Sequence, residues 1–300
     1  MSLRRTPRQS RTALTFRLAP YLFLLPNLTI FLLFTIIPAF NGFNISFYDS
    51  SNARTFRYVG LDNYRRLLGS AEFWGVVQNT LTFVVAFVVL VALISIPLAA
   101  VLHAQRRGRG FFRGAYFLPV LIAPVVVGLI WYWALDRQVG LVNTVLDGLG
   151  LGRPGWLIDP RLAMSAAVFV GLWTHIGFYT IILLAGLQGI DPNLYEAARI
   201  DGASAVQQFR RITLPLLRPT TMVVVILSTI HGFQAFDFIY TLTGGGPVGG
   251  TTLIIQYIYE EAFTTPIRYG LASAAGAMLF VVIFGITALN YLVARRREAM

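Results

Sequence analysis

The sequence predicts an all-α, multi-pass membrane protein. Six spanning helices are expected, with a polar helix–turn–helix between the fourth and fifth. Three observations carry this. Of 300 residues, 56% are hydrophobic and only 12% charged, whereas soluble domains carry about 25% charged residues. Six apolar runs lie near 19–40, 75–102, 115–135, 163–188, 220–242 and 270–294. Each has at least the roughly 20 residues that a helix needs to cross a hydrocarbon core. Lipid excludes irregular backbone and open sheet edges, and a β-barrel would show short alternating segments instead.

The third observation is where the charge falls. All 24 basic residues are arginine, and the net charge is +11. With the N-terminus inside, segments 1–18, 103–114, 189–219 and 295–300 hold 16 arginines in 67 residues. The opposite segments, 41–74, 136–162 and 243–269, hold 8 in 88. Arginine enrichment marks the cytoplasmic side, so both termini and segment 189–219 are expected there. The basic balance thus reads as membrane topology rather than nucleic-acid binding.

Several chemistries lack their residues. Without lysine there is no standard Walker A phosphate site, so Gly244-Gly245-Gly246-Pro247 reads as a flexible extracytoplasmic turn. Without cysteine there is no disulfide, thiol nucleophile or thiolate metal site. The three histidines, His103, His175 and His231, show no metal-ligand spacing. No cofactor and no metal is expected.

In chain order, residues 1–18 form a basic cytoplasmic tail suited to anionic headgroups. The first apolar run is too long for a signal-peptide core, so an uncleaved span is expected. Pro26 and Pro38 predict kinks in it. In 58–68, Asp62 is placed as the cap of a short surface helix bearing Tyr64, Leu67 and Leu68. Loop 103–114 reads as a basic topogenic turn. Span three contains Pro119 and Pro124, then Trp131-Tyr132-Trp133, read as an interfacial aromatic belt. The permease domain runs over 19–294, and 295–300 close the chain as a cytoplasmic tail with a basic stop.

The most informative stretch is 191–219. Asp191 followed by Pro192 is a cap and a first-turn proline. A helix to about Asp201 is expected, broken at Gly202 because glycine accepts positive φ. Ser204 with Gln207 is a capping box that opens a second helix. The order Glu196-Ala197-Ala198, Asp201-Gly202-Ala203, Phe209, Ile212, Leu214-Pro215 and Pro219 resembles the "EAA" loop of permease subunits in bacterial binding-protein-dependent ABC importers.

The resemblance extends further. "GLDNY" at 60–64, Phe73-Trp74, Asn79-Thr80 and Gly140-Leu141-Val142-Asn143 are similar to family patterns. Residues 236–274, from Phe236-Asp237 through the glycine-rich turn to Tyr269-Gly270 and Ala272-Ser273-Ala274, resemble its carbohydrate branch. The resemblance implies a sugar-importer permease that forms half of the translocation pathway in the bacterial inner membrane. It implies ABC ATPase subunits docked through Glu196, Ala197, Ala198, Asp201, Gly202, Phe209, Leu214 and Pro215. A second, related permease chain, an extracytoplasmic solute-binding protein, membrane lipid and a sugar are the other implied partners. A glycerol-phosphate substrate stays open. Nucleic acid is not implied, and ATP hydrolysis belongs to the partner subunits.

Polar residues at membrane depth are costly and point to function. Thr174-His175 on span four and Ser228 with His231 on span five are expected at mid-depth, with Gln234 about one turn further out. His175, Ser228, His231 and Gln234 are therefore pathway candidates, against interhelical hydrogen bonding as the other reading. Asp237 is expected near the outer interface in a gate or structural role. The rival classes are a stand-alone secondary transporter and an intramembrane enzyme. The second would need clustered carboxylates, and the only adjacent pair is Glu260-Glu261.

Overall fold

The computed structural model describes residues 8–104 and 109–298. Parts of the basic tail, of loop 103–114 and of the final tail lie outside them. Span one comprises α1 (Arg8–Phe31), a π-helical stretch (Leu32–Ile36) and α2 (Ile37–Ile45). The most apolar window of Pro20–Ile45 has no buried residue, so this span stands at the edge of the bundle. A short hairpin follows, with β1 (Tyr48–Asp49) antiparallel to β2 (Arg57–Tyr58).

The surface helix α3 covers Asp62–Gly69. Asp62 is its first residue rather than its cap: Leu61 stands at the cap without a side-chain bond. Leu67 is buried while Leu68 is half exposed.

Span two is α4 (Ala71–Ala104). The third apolar run is α5 (Arg109–Phe117) and a 3₁₀ turn (Leu118–Leu121), followed by α6 (Pro124–Ala134). Its two halves meet at 105°. Pro124 explains the break, because the residue before a proline is driven out of helical geometry. Ala123 duly has ψ 131°. After α7 (Leu141–Gly148), span four is α8 (Pro160–Gln188), capped by Asp159, whose carboxylate accepts from the Arg161 N–H at 2.8 Å.

The polar stretch forms α9 (Pro192–Ile200), α10 (Ala205–Gln208), a π turn (Phe209–Thr213) and α11 (Leu214–Leu216). Then α12 (Arg218–Phe233) sets off at 67° to it. The fifth span differs from the continuous helix expected over 220–242. It stops at Gln234 and restarts as α13 (Asp237–Thr243), because Phe236 adopts φ −150°, ψ −64°. Next come α14 (Ile254–Phe263) and span six, α15 (Tyr269–Glu298). Among the described residues, four helices are thus long and apolar enough to cross a membrane, and six when each bent pair counts as one span.

The core sits between α4 and α8, where Phe83, Phe87, Val91, Val170, Tyr179 and Leu183 are at most 2% exposed. A second cluster joins Leu67, Phe73, Val76, Tyr257 and Ala274 beneath α14. The half-helices α6 and α13 pack against each other. Gly128 permits this, since a Cβ there would lie 2.5 Å from the Phe238 carbonyl oxygen, and Thr241 Oγ1 donates to the Val125 carbonyl at 3.2 Å.

Loops at the end of the bundle opposite 191–219 are locked by three asparagines. Asn63 Nδ2 donates to the carbonyls of Ser46 and Tyr48, each at 2.9 Å. Asn79 Nδ2 donates to Gly249 O at 2.8 Å across the glycine-rich turn. Buried Asn143 donates to Pro154 O at 3.0 Å and accepts from Trp156 Nε1 at 3.0 Å. In the same region Asp136 accepts from the Gln138 and Val139 N–H groups, which hold its pKa below the ordinary carboxylate value. The expected aromatic belt divides: Tyr132 and Trp133 are exposed, whereas Trp131 packs edge-on against Phe169 and Trp173.

Arg268 ties α14 to the start of α15. Its Nε lies 2.7 Å from Glu261 Oε2, and its Nη2 donates to Oε1 at 2.9 Å. Burial pushes the Glu261 pKa up, and Arg268 pulls against that. A carboxyl raised in the folded state stabilises fully below its unfolded pKa, near 4.5. That stability is lost as pH rises through the folded pKa. Arg268→Met should therefore cost about 1–3 kcal/mol at neutral pH, discounted because the arginine is half exposed. The loss should shrink on acidification in thermal unfolding of the purified complex. The double variant carrying Glu261→Gln as well should show no such pH dependence.

The absence of native cysteine allows a clean topology test. Single cysteines at Ser51, Gly148 and Gly250 should react with an impermeant maleimide on intact cells, and one at Ser204 should not. Labelling at Ser204, or protection at the other three, would overturn the arrangement.

Candidate functional site

The polar stretch 191–219 is built by local rules. The Asp191 carboxylate accepts from the Asn193 N–H at 2.9 Å and starts α9. At its end the Gly202 N–H donates to Arg199 O at 3.1 Å, and the Ala203 N–H to Ala198 O at 2.8 Å. That is a Schellman closure with glycine in the left-handed position, and Gly202 has φ +76°. The Ser204–Gln207 capping box closes in both directions, with Ser204 N–H to Gln207 Oε1 at 2.8 Å and Gln207 N–H to Ser204 Oγ at 3.3 Å. Tyr195 Oη and Thr213 Oγ1, 3.0 Å apart, tie α9 to the π turn.

Glu196, Ala197, Asp201 and Gly202 are exposed, while Ala198, Phe209, Leu214 and Pro215 are half buried. The first four can meet a partner directly, and the last four brace the loop. Two apolar side chains escaped notice in the sequence: Ile200 is 87% exposed and Val206 61%. They flank the Gly202 turn. Their signal was legible as isolated aliphatics in a polar helix.

Inside the membrane-spanning bundle, α8 and α12 bring two of the three histidines together. The rings of His175 and His231 have centroids 5.7 Å apart. His231 Nδ1 is 2.8 Å from the hydroxyl of Tyr179, a fully buried residue. His175 Nδ1 lies 3.0 Å from Gly171 O, one turn back on its own helix. Phe87 and Phe178 enclose this layer. Ser228 is fully buried and donates to Val225 O at 3.1 Å.

Gln234 differs from the other three. It terminates α12 at the break and its side chain is exposed. Asp237, three residues on, is exposed at the start of α13. Of the four pathway candidates, His175 and His231 meet in one half-buried layer, Ser228 is buried on α12 and bonds within its own helix, and Gln234 stands exposed. Tyr179 was missed, since nothing in the sequence pairs it with a residue 52 positions away. Among the described residues no group of three or more His, Cys, Asp or Glu is placed to hold a metal ion.

A family model described as "Binding-protein-dependent transport system inner membrane component" matches residues 92–299. The chain belongs to that family. Its relatives include the trehalose/maltose transport system permease protein of Thermococcus litoralis, 38% identical over 93% of this chain and 94% of that protein. The sn-glycerol-3-phosphate transport system permease protein of Agrobacterium fabrum is 30% identical over 94% and 96%. Among solved structures, a chain of a bacterial ABC transporter involved in import of the acidic polysaccharide alginate superposes with a TM-score of 0.84. It shares 28% identity, covering 96% of this chain and 99% of that one. A second chain, from the alginate transporter in complex with a periplasmic protein bound to alginate pentasaccharide, gives 0.82 at 29% identity.

The α8–α12 link is testable. Tyr179→Phe should remove one buried hydrogen bond, costing about 1 kcal/mol. The pair Tyr179→Phe with His231→Ala should cost no more than His231→Ala alone in thermal unfolding of the purified complex. Additive losses would show that the two side chains act separately.

Proposed function

We propose that this chain is a membrane-spanning permease subunit of an ATP-driven sugar importer, providing half of the translocation pathway. The observation that carries the reading is the 191–219 loop. It is a rigidly capped, exposed helix–turn–helix in a member of the binding-protein-dependent transport family, at the end of the bundle opposite the asparagine-locked loops. A loop with its turn fixed by a Schellman closure and a capping box can transmit a push without deforming. The relatives' names, covering trehalose/maltose, glycerol 3-phosphate and alginate, support a sugar or sugar-like polyol as cargo.

In this reading an ABC ATPase subunit docks on Glu196, Ala197, Asp201 and Gly202, with Ile200 and Val206 as apolar contacts. A second permease chain completes the pathway, and an extracytoplasmic solute-binding protein delivers cargo at the far loops. Both termini lie in the cytoplasm of a bacterial cell, and the arginine asymmetry supports that orientation. Hydrolysis takes place on the ATPase, and the permease does no covalent chemistry. Gln234 is the pathway residue best supported, because it is exposed at the span break. His231 serves the α8–α12 contact, with His175 beside it, and Ser228 bonds within α12.

Two variants test the two halves of the reading. A Cβ at Gly202 meets nothing within 4 Å, so Gly202→Val acts through backbone strain of about 1–3 kcal/mol. It should abolish sugar-stimulated ATP hydrolysis or ATPase binding while the spans still insert, and Glu196→Lys should weaken docking. Normal transport by both would remove the coupling assignment. Gln234→Ala should weaken uptake affinity about fivefold, the worth of one hydrogen bond. Basal ATPase activity and co-purification should be unchanged.

A further inference from the structure

Four aromatic rings form a continuous ladder, with Phe236 half-buried and the other three exposed. Phe236 and Tyr240 have centroids 5.3 Å apart, Phe236 and Tyr259 5.2 Å, Tyr240 and Tyr259 5.7 Å, and Tyr259 and Phe263 5.3 Å. They come from α13 and α14. Tyr240 and Tyr259 are 42% and 36% exposed, and Phe263 is 66% exposed. On α13, Asp237 and Tyr240 are three residues apart, so they share a face. Phe238, on the other side of α13, packs on Gly171 of α8, four residues before His175. The ladder thus continues outward from the His175–His231 layer and from Gln234.

This face suits neither lipid nor a packed helix partner. An exposed carboxylate and an exposed amide, Asp237 and Gln234, are costly against hydrocarbon. Among the described residues no cation pairs with Asp237. Helix interfaces in membranes are enriched in small residues, and this face carries large rings beside a carboxylate with no ion pair among the described residues. Exposed aromatic faces flanked by an amide and a carboxylate are the chemistry that holds a glycan. The C–H faces of a pyranose cover the rings while its hydroxyls bond to the polar groups.

We infer that Phe236, Tyr240, Tyr259 and Phe263 form an outer sugar subsite, a stacking track that passes a pyranosyl unit to Gln234 and Asp237. This rests on the sugar-importer reading above. α14 thereby gains a role the sequence did not suggest: it carries half of the track. A track of tilted, contiguous rings binds without strict hydroxyl geometry, so it would tolerate different linkages and let a sugar slide.

The test uses the complete importer with its partner subunits in membranes. Tyr240→Cys and Tyr259→Cys should react with a charged, impermeant maleimide, while Phe284→Cys, exposed on the apolar face of α15, should not. The sugars offered are trehalose, maltose, an alginate oligosaccharide and glycerol 3-phosphate. Whichever of the pyranosides the unaltered importer accumulates should slow labelling at Tyr259→Cys. Tyr259→Leu should raise the half-saturation concentration for uptake by about three- to tenfold, and Tyr259→Phe should restore it, with basal ATPase activity unchanged throughout. No labelling at either cysteine means that the second permease chain or lipid covers the face, and overturns the subsite. So does labelling that an accumulated sugar leaves unchanged. If the unaltered importer accumulates glycerol 3-phosphate and none of the pyranosides, the importer reading stands with a polyol phosphate as cargo and the pyranosyl subsite is overturned.

Discussion

Lipid offers no hydrogen bonds, so every backbone break inside this bundle must be enclosed by protein or face a wet cavity. The two broken spans meet this requirement together. α6 begins at Pro124 after the bend at Ala123, and α13 begins at Asp237 after the bend at Phe236. The two half-helices pack against each other, and Thr241 donates to the Val125 carbonyl in the first turn of α6. Gly128 permits their close approach. The break in span five opens on its other side, where Gln234 and Asp237 are exposed. One constraint thus sorts the two faces of the same break into a packed side and an open side.

The elements readable from the sequence are those governed by neighbours in sequence. The cap at Asp191, the glycine at position 202 and the Ser204–Gln207 box depend on residues within five positions of one another, and all three formed as expected. Apolar runs of about 20 residues gave the spans for the same reason. The bend in span three had a visible cause in Pro124. The break in span five did not, since 234–236 read Gln-Ala-Phe, with neither proline nor glycine. That break is imposed by tertiary packing of Phe238 on α8 and of α13 on α6, which no local rule reports. The same limit hid Tyr179, Arg268 and the aromatic ladder, whose partners lie on other elements.

Polar groups in the bundle divide by whether the fold satisfies them. Ser228 and Thr174 bond back to carbonyls of their own helices, and Tyr179 meets His231. These stabilise helices or join them, at about 1 kcal/mol each. Gln234 and Asp237 have their side chains in the open. The histidine cluster, although more conspicuous in the sequence, bonds inside the bundle through one ring nitrogen of each histidine, whereas Gln234 and Asp237 stand exposed.

The position of α12 links the loop to the break in the proposed coupling role. This helix is 16 residues long, about 24 Å at 1.5 Å per residue. It is bounded by a 67° bend after Leu217, itself almost fully buried, and by the break at Gln234. A rigid rod between two bends converts displacement at one end into displacement at the other. The capped loop supplies a stiff handle at one end, and Tyr195–Thr213 fixes the handle to the turn that feeds α12. The far end carries Gln234 to the open face. Along its length α12 is held to α8 by the Tyr179–His231 bond and by close contact of Gly232 with Val84 of α4. In the proposed coupling role, a push on the handle would either shift α12 together with α4 and α8 or slide it past them. One hydrogen bond is a small barrier to sliding, and the interlocked contact at Gly232 is a larger one. The geometry accordingly favours movement of α4, α8 and α12 as one body, with the bends at Leu217 and Gln234 taking up the strain.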